Sequence, residues 1–300
     1  MGTVESVESI AMRCDVPLET DRSLGELTTI GVGGPIAWLL RPESIESMGR
    51  LLAALKAAGL SPRVVGGGAN LIGGEGPFTD PVVLTRGIKH GPIFEGARVR
   101  AGCGVAVKKL VRKCVEAGLG GLEFAEGIPG TVGGTVWMNA GSYGGQMSDV
   151  VREVSCFDQD AALHSRSVRP EDFSYRSSPF GPGDVIVEAV FHLTPGDRSR
   201  LEERLKDVSS RRLASQPPGE RSAGCVFRNP PGDSAGRLID SLGLKGLSVG
   251  GASVSQAHGN FIVNRGDATA SDVLNLIERI KEEVRKRSGV ELQEEAIVWK

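Results

Sequence analysis

Residues 127 to 145 read GIPGTVGGTVWMNAGSYGG, a run in which seven of nineteen positions are glycine. Glycine admits backbone and ligand where a Cβ would collide, so the run restricts what this part of the chain can build. It is either a string of turns at a barrel corner or bulge, or a main-chain cradle for a phosphate-bearing cofactor. The chain as a whole holds 42 glycines in 300 residues, about twice the usual share of ~7%.

That length accommodates about two domains, each able to bury its own core. A net charge of −2 and an isoelectric point near 6.2 give no electrostatic footprint for nucleic acid. The acidic Glu5 and Glu8 precede any apolar stretch, and apolar runs such as 36 to 40 fall far short of a membrane span, which predicts a cytoplasmic protein without a membrane partner. The cysteines at 14, 103, 114, 156 and 225 form no CxxC pair, and no two of the histidines at 90, 164, 192 and 258 stand four apart. Neither a disulfide framework nor a metal centre is expected.

Helices are predicted where apolar residues recur at helical spacing: Ser44 to Gly59, Gly104 to Gly118, Arg200 to Arg212, Ser234 to Gly243 and Ser271 to Ser288, with a short one possible near the N-terminus. Strands are predicted at the end of Thr29 to Leu40, at 63 to 65, 82 to 84, 98 to 101, 150 to 158, 185 to 193 and 261 to 264, with a closing strand over 291 to 299. Pro195-Gly196-Asp197 marks a break before the last domain. The mixture is α+β, without the rhythm of a doubly wound sheet.

The familiar nucleotide fingerprints do not occur. No GxGxxG opens a helix, and no glycine is followed by lysine as a P-loop requires. Other glycine segments remain: GVGG at 31 to 34, GGGAN at 66 to 70 and the long run. With FSYRSSPF, SAGCVFRNP, AHGNFIVN and the terminal LQEEAIVW they fall in one order along residues 24 to 299. In that order the chain resembles the UDP-N-acetylenolpyruvoylglucosamine reductase family.

The resemblance implies a two-subdomain FAD-binding domain of the vanillyl-alcohol-oxidase (PCMH) type followed by a C-terminal α+β substrate domain. The boundaries expected are 1–22 for an N-terminal extension, 23–88 and 89–196 for the FAD subdomains, and 197–300 for the substrate domain, whose terminal strand returns toward the active site. It implies a monomer with non-covalent FAD and NADPH as reductant, acting on UDP-N-acetylglucosamine enolpyruvate. Without a Rossmann helix, the FAD pyrophosphate needs backbone N–H donors in glycine-permitted turns. The cofactor contacts implied are Gly31, Gly33, Gly66, Gly67, Gly68, Ala69, Asn70, Leu71, Gly127, Ile128, Pro129, Gly130, Thr131, Gly133, Gly134, Asn139 and Gly141.

Hydride arriving at C3 of the enolpyruvyl group builds enolate charge that needs a cation and then a proton at C2. The resemblance assigns the cation to Arg176 and substrate contacts to Tyr175, Arg228, Asn229, Gln256, His258 and Asn260. Cys225 stands where the family usually carries the serine that protonates C2, and a thiol is the stronger acid. Glu295 matches a family glutamate, although Glu294 in place of the usual proline leaves the register open by one residue, and neighbours in a strand face opposite sides. Further departures are Ala69 for serine, Ile30 for phenylalanine and Arg228 for lysine, the last able to grip phosphate in a bidentate fashion. Between Tyr175 and Cys225 no insertion carries a further tyrosine, the mark of a shorter subtype without a tyrosine-bearing lid. Two alternatives stay open: an alcohol oxidoreductase of the same FAD fold, and a non-catalytic flavin or UDP-sugar binding protein that has lost the proton donor.

Overall fold

The computed structural model describes residues 5–300, which form two compact units, each drawn from separated stretches of sequence. The first takes the chain up to Thr20, then Ala37–Gly67 and Thr79–Ser210; the second takes Asp21–Ile36, Gly68–Phe78 and Arg211–Lys300.

The first unit is built on two main sheets, beside two-stranded pairs of Leu119–Gly120 with Thr194–Pro195 and of Gly141–Ser142 with Gly145–Gln146. In the smaller, the strands run in the order Leu18–Glu19, Leu39–Leu40, Val82–Leu84, Arg63–Val65, with the last three parallel. The larger is antiparallel, in the order Leu163–Ser167, Val151–Phe157, Val185–His192, Arg98–Gly102, Ile93–Glu95. Its middle strand is buried from Val185 through Phe191, because side chains on both of its faces are covered. Helix α1 (Val7–Cys14) and helix α2 (Ile45–Ala57) join the core through Ile10, Met48, Leu51 and Leu55, and helix α3 (Val107–Glu116) through Leu110, Val111 and Cys114. A capping box between Ser44 and Ser47 starts α2 where the sequence places it.

Helix α4 (Val132–Trp137) lies inside the glycine run, where the sequence predicts no helix. Two glycines weaken a helix by about 1 kcal/mol each relative to alanine, but Gly133 is needed here: a Cβ on it would stand 2.8 Å from that of Cys103. Helix α5 (Arg198–Ser215) crosses the division between the units.

The second unit centres on a four-stranded antiparallel sheet, Arg221–Cys225, Phe261–Asn264, Ala252–Val254, Ser248–Val249. Helix α6 (Ala235–Ser241) and helix α7 (Ala270–Ser288) share its core through Ile239, Val273, Leu276, Ile277 and Ile280. A hairpin pairs Arg22–Ser23 with Pro35–Ile36, and Leu71–Gly73 pairs in parallel with Ile297–Trp299. The closing strand is thus shorter than expected, because residues 293 to 295 bond to the backbone of 226 to 228 instead.

Asn260 fixes that last arrangement. Buried to 3% exposure, it donates through Nδ2 to the Phe227 carbonyl at 2.8 Å and accepts at Oδ1 from the Phe227 N–H at 2.8 Å. One side chain thereby satisfies both main-chain groups of a buried phenylalanine. Asn260→Ala leaves both unpaired and should cost about 2–4 kcal/mol, read as a lower urea midpoint with unchanged slope; a loss below about 0.5 kcal/mol would contradict this role.

Candidate functional site

In the first unit the strand Arg63–Val65 runs into Gly66 and Gly67, which lie directly against the long glycine run. A Cβ on Gly67 would stand 2.4 Å from Gly130 Cα, and one on Gly66 would stand 3.0 Å from Thr131 Oγ1. Arg86 turns the Gly66–Gly67 corner: its Nε donates to the Gly66 carbonyl at 3.2 Å and its Nη2 to the Gly67 carbonyl at 2.6 Å. Each trans peptide plane then points its N–H away from Arg86, as an anion nest requires. Partial burial makes this guanidinium easier to deprotonate than an exposed one, though it stays a cation.

Thr131, which caps α4, is 5% exposed, and its hydroxyl has no hydrogen-bond partner among the described residues. An orphaned buried hydroxyl beside main chain packed too closely for a Cβ is a polar group that a phosphate-bearing ligand would satisfy. Of the other residues in the run, Gly127 and Gly130 take left-handed φ values of +76° and +118°, whereas Gly133 is buried against Cys103. Pro129 and Gly134 lie on the same stretch, Gly134 near Gly66.

The run continues into the residues that hold Arg176. Asn139 is fully buried and is occupied within the protein, by Ser174, Gln146 and Ser148. Arg176 has a left-handed φ of +54°. Its Nη2 donates to the Gly141 carbonyl at 2.9 Å, and its guanidinium stacks 4.8 Å from the Tyr175 ring, which is 45% exposed. Strain of this kind in a non-glycine residue costs about 1–3 kcal/mol and is kept where surroundings enforce it.

The second unit gathers a separate group. Gly68 has φ +64°, and a Cβ there would stand 1.8 Å from the Leu27 carbonyl. Past Ala69, the Asn70 carbonyl accepts from the Ile297 N–H at 2.9 Å, its Nδ2 donates to the Glu295 carbonyl at 3.2 Å, and Leu71 begins the parallel pair. The Glu295 N–H donates to the Val226 carbonyl at 2.7 Å, which sets Glu295 beside the residue following Cys225. Cys225 ends its strand just past a register shift at Gly224, whose φ is +75°. A bulge of this kind re-aims the side chain that follows. Four cysteines are buried while Cys225 is half-buried. Burial pushes the Cys103 and Cys114 thiols up to about 12 and raises that of Cys156.

Glu294 is committed elsewhere, to Lys281 Nζ at 2.9 Å, and that cation holds its carboxyl below the ordinary value although burial opposes it. Both residues precede the terminal strand, so strand alternation does not decide between them. Among the expected substrate contacts, Arg228 is half-buried and its N–H donates to the Gln293 carbonyl, while Asn229 accepts from the Ala235 N–H at the start of α6. His258 packs edge-on to Phe261 and accepts at Nδ1 from the Asn260 N–H. Its burial lowers its pKa, which favours neutral imidazole. Gln256 reaches Gly246, and Asn260 is spent on Phe227.

Gly31 and Gly33 line a further cavity of about 400 Å³ with Ser23, Thr28, Thr29 and Arg221. Neither Arg221 nor Arg86 was legible as a site residue, since each reads locally as a surface arginine. No cluster of three metal-ligating side chains and no helix long and apolar enough to cross a membrane occur among the described residues.

A family model described as FAD binding domain matches residues 36–165, and one described as UDP-N-acetylenolpyruvoylglucosamine reductase, C-terminal domain, matches residues 216–299. The UDP-N-acetylenolpyruvoylglucosamine reductase of Moorella thermoacetica is 41% identical over 280 residues, 93% of this chain and 92% of that protein. The one from Geobacter sulfurreducens is 41% identical over 279 residues, 93% of each. The crystal structure of the reductase MurB from Thermus caldophilus superposes with a TM-score of 0.80 at 38% identity, covering 95% of this chain and 99% of that one. A grass pollen allergen with glucose dehydrogenase activity, at 15% identity and a TM-score of 0.51 over 64% of this chain and 45% of its own, shares the fold alone. Likeness at this level across nearly the whole length means that the chain belongs to the UDP-N-acetylenolpyruvoylglucosamine reductase (MurB) family, flavoenzymes of peptidoglycan synthesis with an FAD-binding domain.

Proposed function

We propose that this protein reduces UDP-N-acetylglucosamine enolpyruvate to UDP-N-acetylmuramate in the cytoplasm, with NADPH as reductant, as a monomer. The observation that carries the reading is the local knit of the second unit, in which Glu295 bonds to the residue after Cys225 and to Asn70. A carboxylate and a half-buried thiol on adjoining backbone suit a proton-transfer site.

Bound FAD supplies the two-electron carrier between nicotinamide and the substrate's C3. Gly66, Gly67, Gly130 and the Thr131 hydroxyl would hold its pyrophosphate, with Arg86 keeping the corner carbonyls turned aside. Arg176 would neutralise the enolate charge that develops on the substrate carboxylate, and Tyr175 would bond the bound substrate. Cys225 Sγ–H would give its proton to C2, breaking S–H and forming C–H; the thiolate is then reprotonated from solvent. Since Glu294 is paired with Lys281, Glu295 is the carboxylate assigned to this step. Arg228 would grip the diphosphate, with Asn229, Gln256 and His258 around it. As a division of roles along the sequence we keep 1–22 as an extension, 23–88 and 89–196 as the FAD subdomains and 197–300 as the substrate domain, although α1 of the extension packs into the first unit and 21–36 and 68–78 fold with the second. The family matches to 36–165 and 216–299 support the coarse split between an FAD-binding part and a C-terminal part.

Two measurements test this. Under anaerobic conditions Cys225→Ala should slow flavin reoxidation by the enolpyruvyl UDP-sugar on the order of 10²- to 10⁴-fold and leave reduction by NADPH nearly intact. Cys225→Ser should recover much of the rate, and equal effects on both half-reactions would remove the assignment. Iodoacetamide at pH 8 should label Cys225 first, with Cys103 and Cys114 silent until unfolding because burial holds their thiols near 12. Prior labelling of Cys103 or Cys114 would contradict this picture.

A further inference from the structure

Bonds between side chain and backbone clasp the segment that carries Arg176 to the glycine run. Asn139 Nδ2 donates to the Ser174 carbonyl at 3.0 Å, Arg176 Nη2 donates to the Gly141 carbonyl at 2.9 Å, and Ser178 Oγ donates to the Trp137 carbonyl at 2.7 Å. They run in both directions, from 137–141 to 174–178 and back. Asn139 is anchored in turn: its Nδ2 also donates to Gln146 Oε1 at 3.2 Å, and its Oδ1 accepts from the Ser148 N–H at 3.0 Å. With no exposed surface and its amide engaged on both sides, this side chain has nothing left to offer a cofactor.

The turn it grips is strained. Ser174 and Ser177 exchange N–H to carbonyl bonds of 3.1 Å each, and between them Arg176 takes its left-handed φ of +54°. Arginine keeps that conformation only where its surroundings enforce it, so an untethered turn would relax and swing the guanidinium away. Asn139 itself has φ +44°, a region asparagine tolerates better than most residues, which brings its amide toward Ser174.

We infer that Asn139 is a positioning residue for Arg176: it fixes the Ser174 carbonyl, and with it the strained turn that aims the guanidinium. This departs from its assignment as a cofactor contact and rests on the proposed role of Arg176. Asn139 touches neither substrate nor cofactor. It couples the glycine run that would hold FAD to the turn bearing the cation, so that the placement of one constrains the other.

The test uses Asn139→Gly, which keeps the left-handed backbone and deletes the amide, with the isosteric Asn139→Asp should the glycine variant fail to fold. Reoxidation of the reduced holoenzyme by the enolpyruvyl UDP-sugar should slow about 10- to 100-fold, the cost of a misplaced group, while reduction by NADPH changes less than about threefold. In an Arg176→Ala background the same substitution should add less than about threefold, because the group it positions is gone. Full additivity of the two losses would mean a merely structural role and would overturn the inference. Hydrogen exchange provides a readout independent of turnover: the Ser177 amide should lose protection in Asn139→Gly, and unchanged protection also overturns the inference. If protection is lost yet Arg176→Ala reoxidises at the wild-type rate, the fault lies in the reading of Arg176, and the positioning role falls with it.

Discussion

The first unit depends on main chain touching main chain. Where Gly67 meets Gly130 there is no room for a methyl group, and a Cβ would stand 2.4 Å from an opposing Cα. Side chains cannot fill such a seam, so its polar groups are left to the backbone, to Arg86 and to the Thr131 hydroxyl. Packing of this kind gains little apolar burial and loses the entropy of several glycines. It is tenable because the sheet behind it is well filled, with Val187, Ala189 and Phe191 of the central strand fully buried. A sturdy antiparallel sheet therefore supports a weakly self-stabilised corner, and a ligand with two phosphates would supply what the corner lacks.

The same economy explains the left-handed residues next to it. Asn139, Tyr143 and Arg176 all have positive φ, and two of them join the clasp that holds the arginine turn. Strain persists only where surrounding bonds over-determine it. Here the bonds come from the run's own continuation, so the glycine segment and the arginine turn form one piece of architecture rather than two neighbours.

Much of this was legible in the sequence and some was not, for identifiable reasons. The helices of the second unit could be read because Ser234 and Gly289 mark their ends and apolar spacing marks their faces. Helix α4 was hidden because propensity argues against two glycines, and only the approach to Cys103 explains Gly133. The edge strands Ile93–Glu95 and Leu163–Ser167 escaped because they are exposed and lack an apolar alternation. The grouping of 21–36 and 68–78 with the C-terminal part rests on pairings such as Leu71 with Ile297, more than two hundred residues apart, which no local pattern records. At the site, the motif residues were visible by resemblance, but their supports were not. Arg86 sits in a short turn like any surface arginine, and Asn139 looked like a ligand contact because its immobility is a property of the fold.

The half-burial of Cys225 is the point at which these constraints bear on chemistry. A proton donor has to be shielded enough that its proton goes to the substrate, and open enough to be recharged between turnovers. Cys103 shows the closed extreme, a thiol that burial pushes up to about 12 and whose S–H is turned to the Thr85 carbonyl. A sulfur fully in water would meet the second condition and fail the first. Cys225 lies between, at the end of a strand and paired with Phe261 just past the register shift at Gly224, with its neighbour Val226 accepting from the backbone of Glu295. The preceding residue is a left-handed glycine, and a Cβ built on it would have only the Ala69 carbonyl within 4.0 Å. If Cys225 is the acid proposed above, the left-handed glycine and register shift before it are the local features that set its side chain at the strand end.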